Sequence, residues 1–167
     1  MHSADAVNRV CSILDCTSPE TVHLVLETLR VVFKHAPADV VAAVEANVSP
    51  TLISMWETFA NDQLVSQDIV DVFRSMLLSP PCVASLRGRL TPLIGEMLNG
   101  ALEDTVSGRQ SERSLSGAVE LAIELLRALI DNDPLASSGE PVMLPPVLLD
   151  GCFITLLRLV VHTDDHR

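Results

Sequence analysis

Apolar residues recur three and four positions apart along almost the whole chain, whereas alternation of apolar and polar residues is hard to find. The first spacing places apolar side chains on one face of an α-helix, and the second would line one face of a β-strand. The pattern therefore predicts an all-α fold. Helices are expected over residues 4–14, 19–35, 40–60, 64–78, 82–98, 115–130 and 142–161.

Polar residues and prolines indicate where these helices begin and end. Ser18 is suited to an N-cap, with Pro19 at the first helical position. Asn99 and Gly100 are expected to cap the fifth predicted helix, because glycine tolerates the backbone of a helix C-terminus. Polar loops are expected over residues 101–113 and 131–141.

An internal repeat appears when the chain is aligned with itself. A pattern of apolar, acidic, any residue, apolar and arginine begins at Leu26, Val70 and Ile123, which are 44 (70 − 26) and 53 (123 − 70) residues apart. Helix pairs of roughly 40 to 47 residues are typical of HEAT and armadillo units. We therefore expect residues 1–167 to form one HEAT-repeat solenoid segment, an α-α superhelix of about three and a half repeats. We expect it to be a segment of a longer solenoid or a truncated gene product.

Each copy of the repeat holds an acid three residues before an arginine. Residues at this spacing share a helix surface, and an exposed pair contributes roughly 0.2 to 0.5 kcal/mol. Two interpretations stay open: a solvated helix edge, or a ladder in which each arginine also meets an acid of the adjacent repeat. The pairs are Glu27 with Arg30, Asp71 with Arg74, and Glu124 with Arg127.

The composition excludes several classes of protein. Asp and Glu number 22 against 11 Lys and Arg, a net charge of −11, so the chain lacks the basic face that binding to nucleic-acid phosphates requires. Apolar residues make up 48%, too many for a disordered acidic tail. The most apolar stretch, residues 142–161, is interrupted by prolines and charged residues, so no membrane span is expected.

Motifs of catalysis and of cofactor binding are missing from the sequence. It contains no glycine-rich phosphate loop, no His-Glu-x-x-His and no Cys-x-x-Cys. We therefore expect no catalytic residues, no cofactor and no metal site. We favour buried structural thiols for Cys11 and Cys16, and a solvated turn for His162 and His166. Metal ligation by either pair is the alternative.

Acidic residues concentrate around the sixth predicted helix. They are candidates for a surface that docks basic partners, and a solvated helix face is the competing interpretation. The residues are Glu103, Asp104, Glu112, Glu120, Glu124, Asp131 and Asp133.

Several local strings resemble the importin-β (karyopherin-β) family of HEAT-repeat nuclear transport receptors. They are TSPET at 17–21 with VLETL at 25–29, LV at 64–65 leading into DIV at 68–70, and LVVHTDD at 159–165. The resemblance implies a non-catalytic central segment of a receptor that carries basic cargo, including histones and ribosomal proteins, between cytoplasm and nucleus. It also implies cargo release by Ran-GTP, which we expect to bind the full-length parent and not this segment.

The acidic charge agrees with basic cargo, because complementary charge favours encounter. The family pattern assigns no Ran-binding or cargo-binding residue to a position in this chain. A HEAT or armadillo scaffold, or a regulatory subunit of a complex unrelated to transport, remains the alternative.

Overall fold

A computed structural model describes residues 9, 10, 12–14, 18–59, 62–107 and 112–132. It describes their side chains as well, except those of residues 104–107 and 112–116. All regular structure in these ranges is helical, so the fold is all-α there. Residues 9, 10 and 12–14 are helical. The longer helices are α1 (Pro19–His35), α2 (Ala38–Phe59), α3 (Gln63–Leu77), α4 (Pro80–Ser107) and α5 (Glu112–Asp131).

The sequence pattern misplaced both ends of α4. The helix predicted over 82–98 runs over Pro80–Ser107, so the cap expected at Asn99 and Gly100 is wrong. The loop expected over 101–113 is also wrong where the structure describes it, because residues 101–107 and 112–113 are helical. Ala101 explains the continuation, since it extends the buried stripe of α4 past the glycine, and burial outweighs the local stop signal.

The other helices lie close to their predicted positions. α1 occupies 19–35, α3 is shifted by one residue, and α2 begins two residues earlier than expected. α5 begins three residues earlier and includes Asp131, which had been assigned to a loop. Residues 4–8, residues 133–141 of the loop expected over 131–141, and the helix expected over 142–161 lie outside the described ranges.

The chain divides into two compact units, Met1–Leu86 and Arg87–Arg167. In the first unit, α1 packs extensively against α3, and α2 also contacts α3. Burying one large aliphatic or aromatic side chain stabilises a fold by about 1.5 to 3 kcal/mol, so a continuous apolar stripe is the main source of stability. The buried residues of this unit include Val22, Leu26 and Phe33 of α1, Leu52 and Trp56 of α2, and Ile69 and Phe73 of α3.

The core of the second unit also consists mainly of buried aliphatic side chains. Its buried side chains recur three and four positions apart on α4 and α5, as an amphipathic helix requires. They include Leu90, Ile94 and Leu98 of α4 and Leu121, Leu125 and Leu129 of α5.

α2 and α3 are antiparallel neighbours. The Ser66 hydroxyl at the start of α3 donates to the carbonyl of Phe59 at the end of α2 (3.1 Å). At the opposite end, the Ser79 hydroxyl donates to the carbonyl of Ala38 (3.2 Å). These two bonds fix both ends of the helix pair.

Two prolines lie inside helices, Pro50 in α2 and Pro92 in α4. A proline offers no backbone N–H, so each helix lacks one hydrogen bond of its ladder at that point. Both rings are exposed, which leaves the buried stripes uninterrupted. Within the described residues, no helix combines the length and the apolar character needed to cross a bilayer.

Candidate functional site

α1 and α3 are joined by two polar contacts that run along their shared edge. Nδ1 of His23 lies 2.5 Å from Oδ2 of Asp68, and Nη1 of Arg30 lies 3.7 Å from Oδ2 of Asp71. Both contacts advance in the same direction along the two helices. α1 and α3 are therefore parallel, as two helices separated by one antiparallel helix should be.

The second contact belongs to a chain of charges built from the repeated acid–arginine pattern. Arg30 also lies 3.6 Å from Glu27 on its own helix, and Asp71 presents its other oxygen to Arg74 at 3.3 Å. Arginine and acid thus alternate from α1 to α3. We call these four residues together with His23 and Asp68 the polar ladder.

The ladder interpretation of the repeat therefore holds for the step from α1 to α3. Arg30 meets the acid of the next copy as well as the acid of its own copy. These side chains remain partly exposed to water, which screens the interaction between their charges.

The environment of His23 favours its protonated form. The hydrogen bond to Asp68 is the largest cause and raises the pKa of the imidazole above its ordinary 6.5, with the negative charge of Asp68 adding to the effect. Partial burial and the positive charge of Arg30 oppose this rise, while Glu27 supports it.

A buried polar cluster lies where α2 faces the start of α4. Glu45 is only 3% exposed. Its carboxylate accepts hydrogen bonds from the hydroxyls of Ser49 (2.8 Å) and Ser85 (3.0 Å). A buried carboxylate needs such donors, since removal from water disfavours its charge. Cys82 is a buried free thiol whose pKa is raised, mainly by burial and further by the charge of Glu45.

Three of the seven acidic residues predicted as a docking surface lie on one face of α5. Glu120, Glu124 and Asp131 recur at helical spacing with Arg127 among them, opposite the buried leucines. Glu120 and Asp131 are exposed and Glu124 is half-buried. Arg127 lies 3.5 Å from Asp131, so one arginine offsets part of the negative charge.

The structure does not show the other four predicted acids on this face. Glu103 is exposed on α4. Asp104 and Glu112 lie within α4 and α5, but their side chains are outside the description, as is Asp133 entirely. We call Glu120, Glu124 and Asp131 the acidic face.

The part of the chain that the structure describes brings together no group of three His, Cys, Asp or Glu residues able to hold a metal. Both metal-binding alternatives raised from the sequence involve residues outside it, namely Cys11, Cys16, His162 and His166.

Sequence reasoning missed three polar features of the first unit. Glu45 stands alone within an apolar run, and an isolated acid there could have indicated a buried carboxylate. His23 and Asp68 are separated by nearly the repeat spacing, which could have indicated contact between copies. Asp62 caps α3, and an aspartate between two predicted helices could have indicated this N-cap.

No protein-family model matches the chain, and no solved structure matches it at a significant level.

Proposed function

We propose that this chain is a non-catalytic, HEAT-type protein-binding segment of a nuclear import receptor for basic cargo such as histones and ribosomal proteins. The full-length receptor would bind Ran-GTP elsewhere and release cargo in response. The acidic face of α5 is the observation that carries the binding part of this proposal.

The polar ladder supports the HEAT-type architecture. A two-helix repeat predicts that every second helix runs parallel to the last and meets it at equivalent positions. α1 and α3 are parallel, and Arg30 contacts Asp71, which stands one position after the repeat start at Val70 just as Glu27 follows Leu26. The importin-β assignment rests on the resemblance of the local strings.

Electrostatics support a basic partner. The chain carries a net charge of −11, and the acidic face places three carboxylates on a single helix surface that also holds Arg127. Such a surface attracts a positively charged segment and accelerates encounter at low ionic strength. Added salt should therefore weaken the binding.

Binding of this chain to purified core histones, measured by fluorescence anisotropy at two salt concentrations, tests the acidic face. The double variant Glu120→Gln/Glu124→Gln should bind several-fold more weakly than the wild type. Glu57→Gln/Glu96→Gln removes the same charge at exposed positions outside this face and should bind like the wild type. Equal weakening by both double variants would mean that only net charge matters and would refute a localised docking surface.

The transport role is tested with the full-length parent. Immobilised receptor should retain histones and release them when Ran-GTP is added. If Ran-GTP neither binds nor displaces the histones, the transport role is wrong and a scaffold of another complex takes its place. This chain alone should bind Ran-GTP weakly or not at all, and tight binding would contradict its assignment to a central segment.

A further inference from the structure

The chain has four serines or threonines that directly precede a proline, and all four fall in the described ranges. They differ sharply in exposure. Ser18 is exposed at the start of α1, whereas the other three are buried: Ser49, Ser79 and Thr91.

The three buried hydroxyls are committed to internal hydrogen bonds. Ser49 donates to the buried carboxylate of Glu45 (2.8 Å), and Thr91 donates to the carbonyl one turn earlier in α4 (2.7 Å). The Ser79 hydroxyl, just after α3, donates to the carbonyl of Ala38 at the start of α2. An enzyme could reach these hydroxyls only after unfolding the helices around them.

Ser18 has the opposite environment. Its backbone is extended, with φ −84° and ψ 114°, and its hydroxyl makes no capping bond to the backbone of α1. The hydroxyl donates instead to Glu20, an exposed carboxylate in the first turn, at 2.7 Å. This bond lies at the surface, where water can replace it.

We propose that Ser18 is a phosphorylation site for a proline-directed serine/threonine kinase. Oγ of Ser18 attacks the γ-phosphorus of ATP, a new O–P bond forms, and the bond from that phosphorus to the β-phosphate oxygen breaks to release ADP. The hydroxyl proton passes to the base of the kinase. The products are phosphoserine and ADP, and no oxidant or metal bound to this chain is needed.

Access by the kinase needs only a local change. Kinases bind their substrates as extended strands, so the first turn of α1 must open around Pro19. This breaks the backbone bond from the Val22 N–H to the carbonyl of Ser18 (3.1 Å), and the ends of helices fray readily.

The modification changes the charge at the start of α1. A phosphate adds about 1.5 to 2 negative charges at neutral pH and replaces the hydroxyl donor that holds Glu20. The two anions then repel each other, and the N-terminus of the helix favours the phosphate, which accepts more hydrogen bonds. Phosphorylation therefore frees the Glu20 side chain from its present bond.

The test is incubation of the purified, folded chain with ATP and a proline-directed kinase, followed by intact and tandem mass spectrometry. We expect one phosphate per chain, located on Ser18. Ser18→Ala and Pro19→Ala should each abolish incorporation, and Ser18→Thr should restore it.

Ser12 supplies a matched control, because it is exposed and also hydrogen-bonded at 2.8 Å, but it precedes isoleucine. Ser12→Ala should therefore incorporate phosphate like the wild type. Three results would overturn the proposal: no incorporation while a Ser-Pro control peptide reacts, unchanged incorporation in Ser18→Ala, or phosphate on Ser49, Ser79 or Thr91 of the folded chain. Circular dichroism of each variant verifies that its helices are retained.

Discussion

The guanidinium of Arg30 on α1 reaches the carboxylate of Asp71 on the parallel helix α3, at 3.7 Å. The two residues occupy different positions of the repeated pattern, its arginine and its acid. One motif thus supplies both partners of a contact between successive copies. The stability of the contact is limited by exposure, since Arg30 is 43% and Asp71 23% accessible.

A double-mutant cycle with Arg30→Gln and Asp71→Asn should give a small favourable coupling. We expect about 0.2 to 1 kcal/mol, because water screens the pair. Urea unfolding of the wild type, both single variants and the double variant measures it. The coupling should fall at high salt, and a coupling indistinguishable from zero at low salt would mean that the contact adds no stability.

Asp62 should contribute more to helix stability than Ser18, although both precede a helix. Oδ1 of Asp62 accepts from the backbone N–H groups of Leu64 and Val65, both at 3.1 Å. Asp62→Ala should therefore cost about 0.5 to 2 kcal/mol of unfolding free energy.

The hydroxyl of Ser18 makes no such backbone bond, so Ser18→Ala serves as the control. Its unfolding free energy should stay closer to that of the wild type in the same urea titration. Equal losses in the two variants would contradict the assignment of the cap to Asp62.

The contact between His23 and Asp68 should make stability depend on pH. Asp68 raises the pKa of His23 in the folded chain. The contact therefore stabilises the fold fully at pH values below the pKa of His23 in the unfolded chain, which is near 6.5. It is lost as the pH rises through the higher folded pKa. The urea midpoint of the wild type should therefore fall across this window, apart from the contributions of other groups.

Asp68→Asn removes the charge that raises this pKa and should flatten that part of the profile. An NMR titration of the His23 imidazole provides the direct measurement, with a higher pKa in the wild type than in Asp68→Asn. An identical pKa in both would show that Asp68 does not hold the imidazole. Glu27→Gln should lower it less, since Glu27 contributes only a minor favourable charge.

Glu45 should be the most sensitive of the polar residues. Replacement by alanine leaves the buried hydroxyl of Ser49 without its acceptor, removes the bond from the exposed Ser85 and opens a void, which together should cost about 2 to 4 kcal/mol. Glu45→Gln keeps an oxygen acceptor and most of the volume, so its loss should be smaller. Equal urea midpoints for the wild type and Glu45→Ala would rule out a structural role for the cluster.

The sequence predicted the helices best where apolar periodicity and end signals agree. Pro19 and Pro37 bracket α1, and its predicted bounds match the structure. At Asn99 and Gly100 the two kinds of signal disagreed, because the glycine indicated a stop while Ala101 continued the buried stripe. Tertiary burial prevailed there over the local stop signal.

Polar partners were harder to predict than helices. The repeat alignment made a contact between Arg30 and an acid of the next copy one of two open interpretations, because equivalent residues of stacked units face each other. The bonds of Glu45 with Ser49 and Ser85 depend instead on how α2 meets α4. No periodicity specifies that geometry, so the cluster emerges only from the folded structure.

The link between Arg30 and Asp71 has a consequence for how such a chain grows. In this contact the earlier helix supplies the arginine and the later helix supplies the acid, and each of the two helices carries both residue types. Tandem duplication of a gene segment that encodes such a helix would therefore supply both partners of a further contact without any new mutation. Lengthening by copying preserves this charge matching, whereas an unrelated helix inserted between two copies would interrupt it.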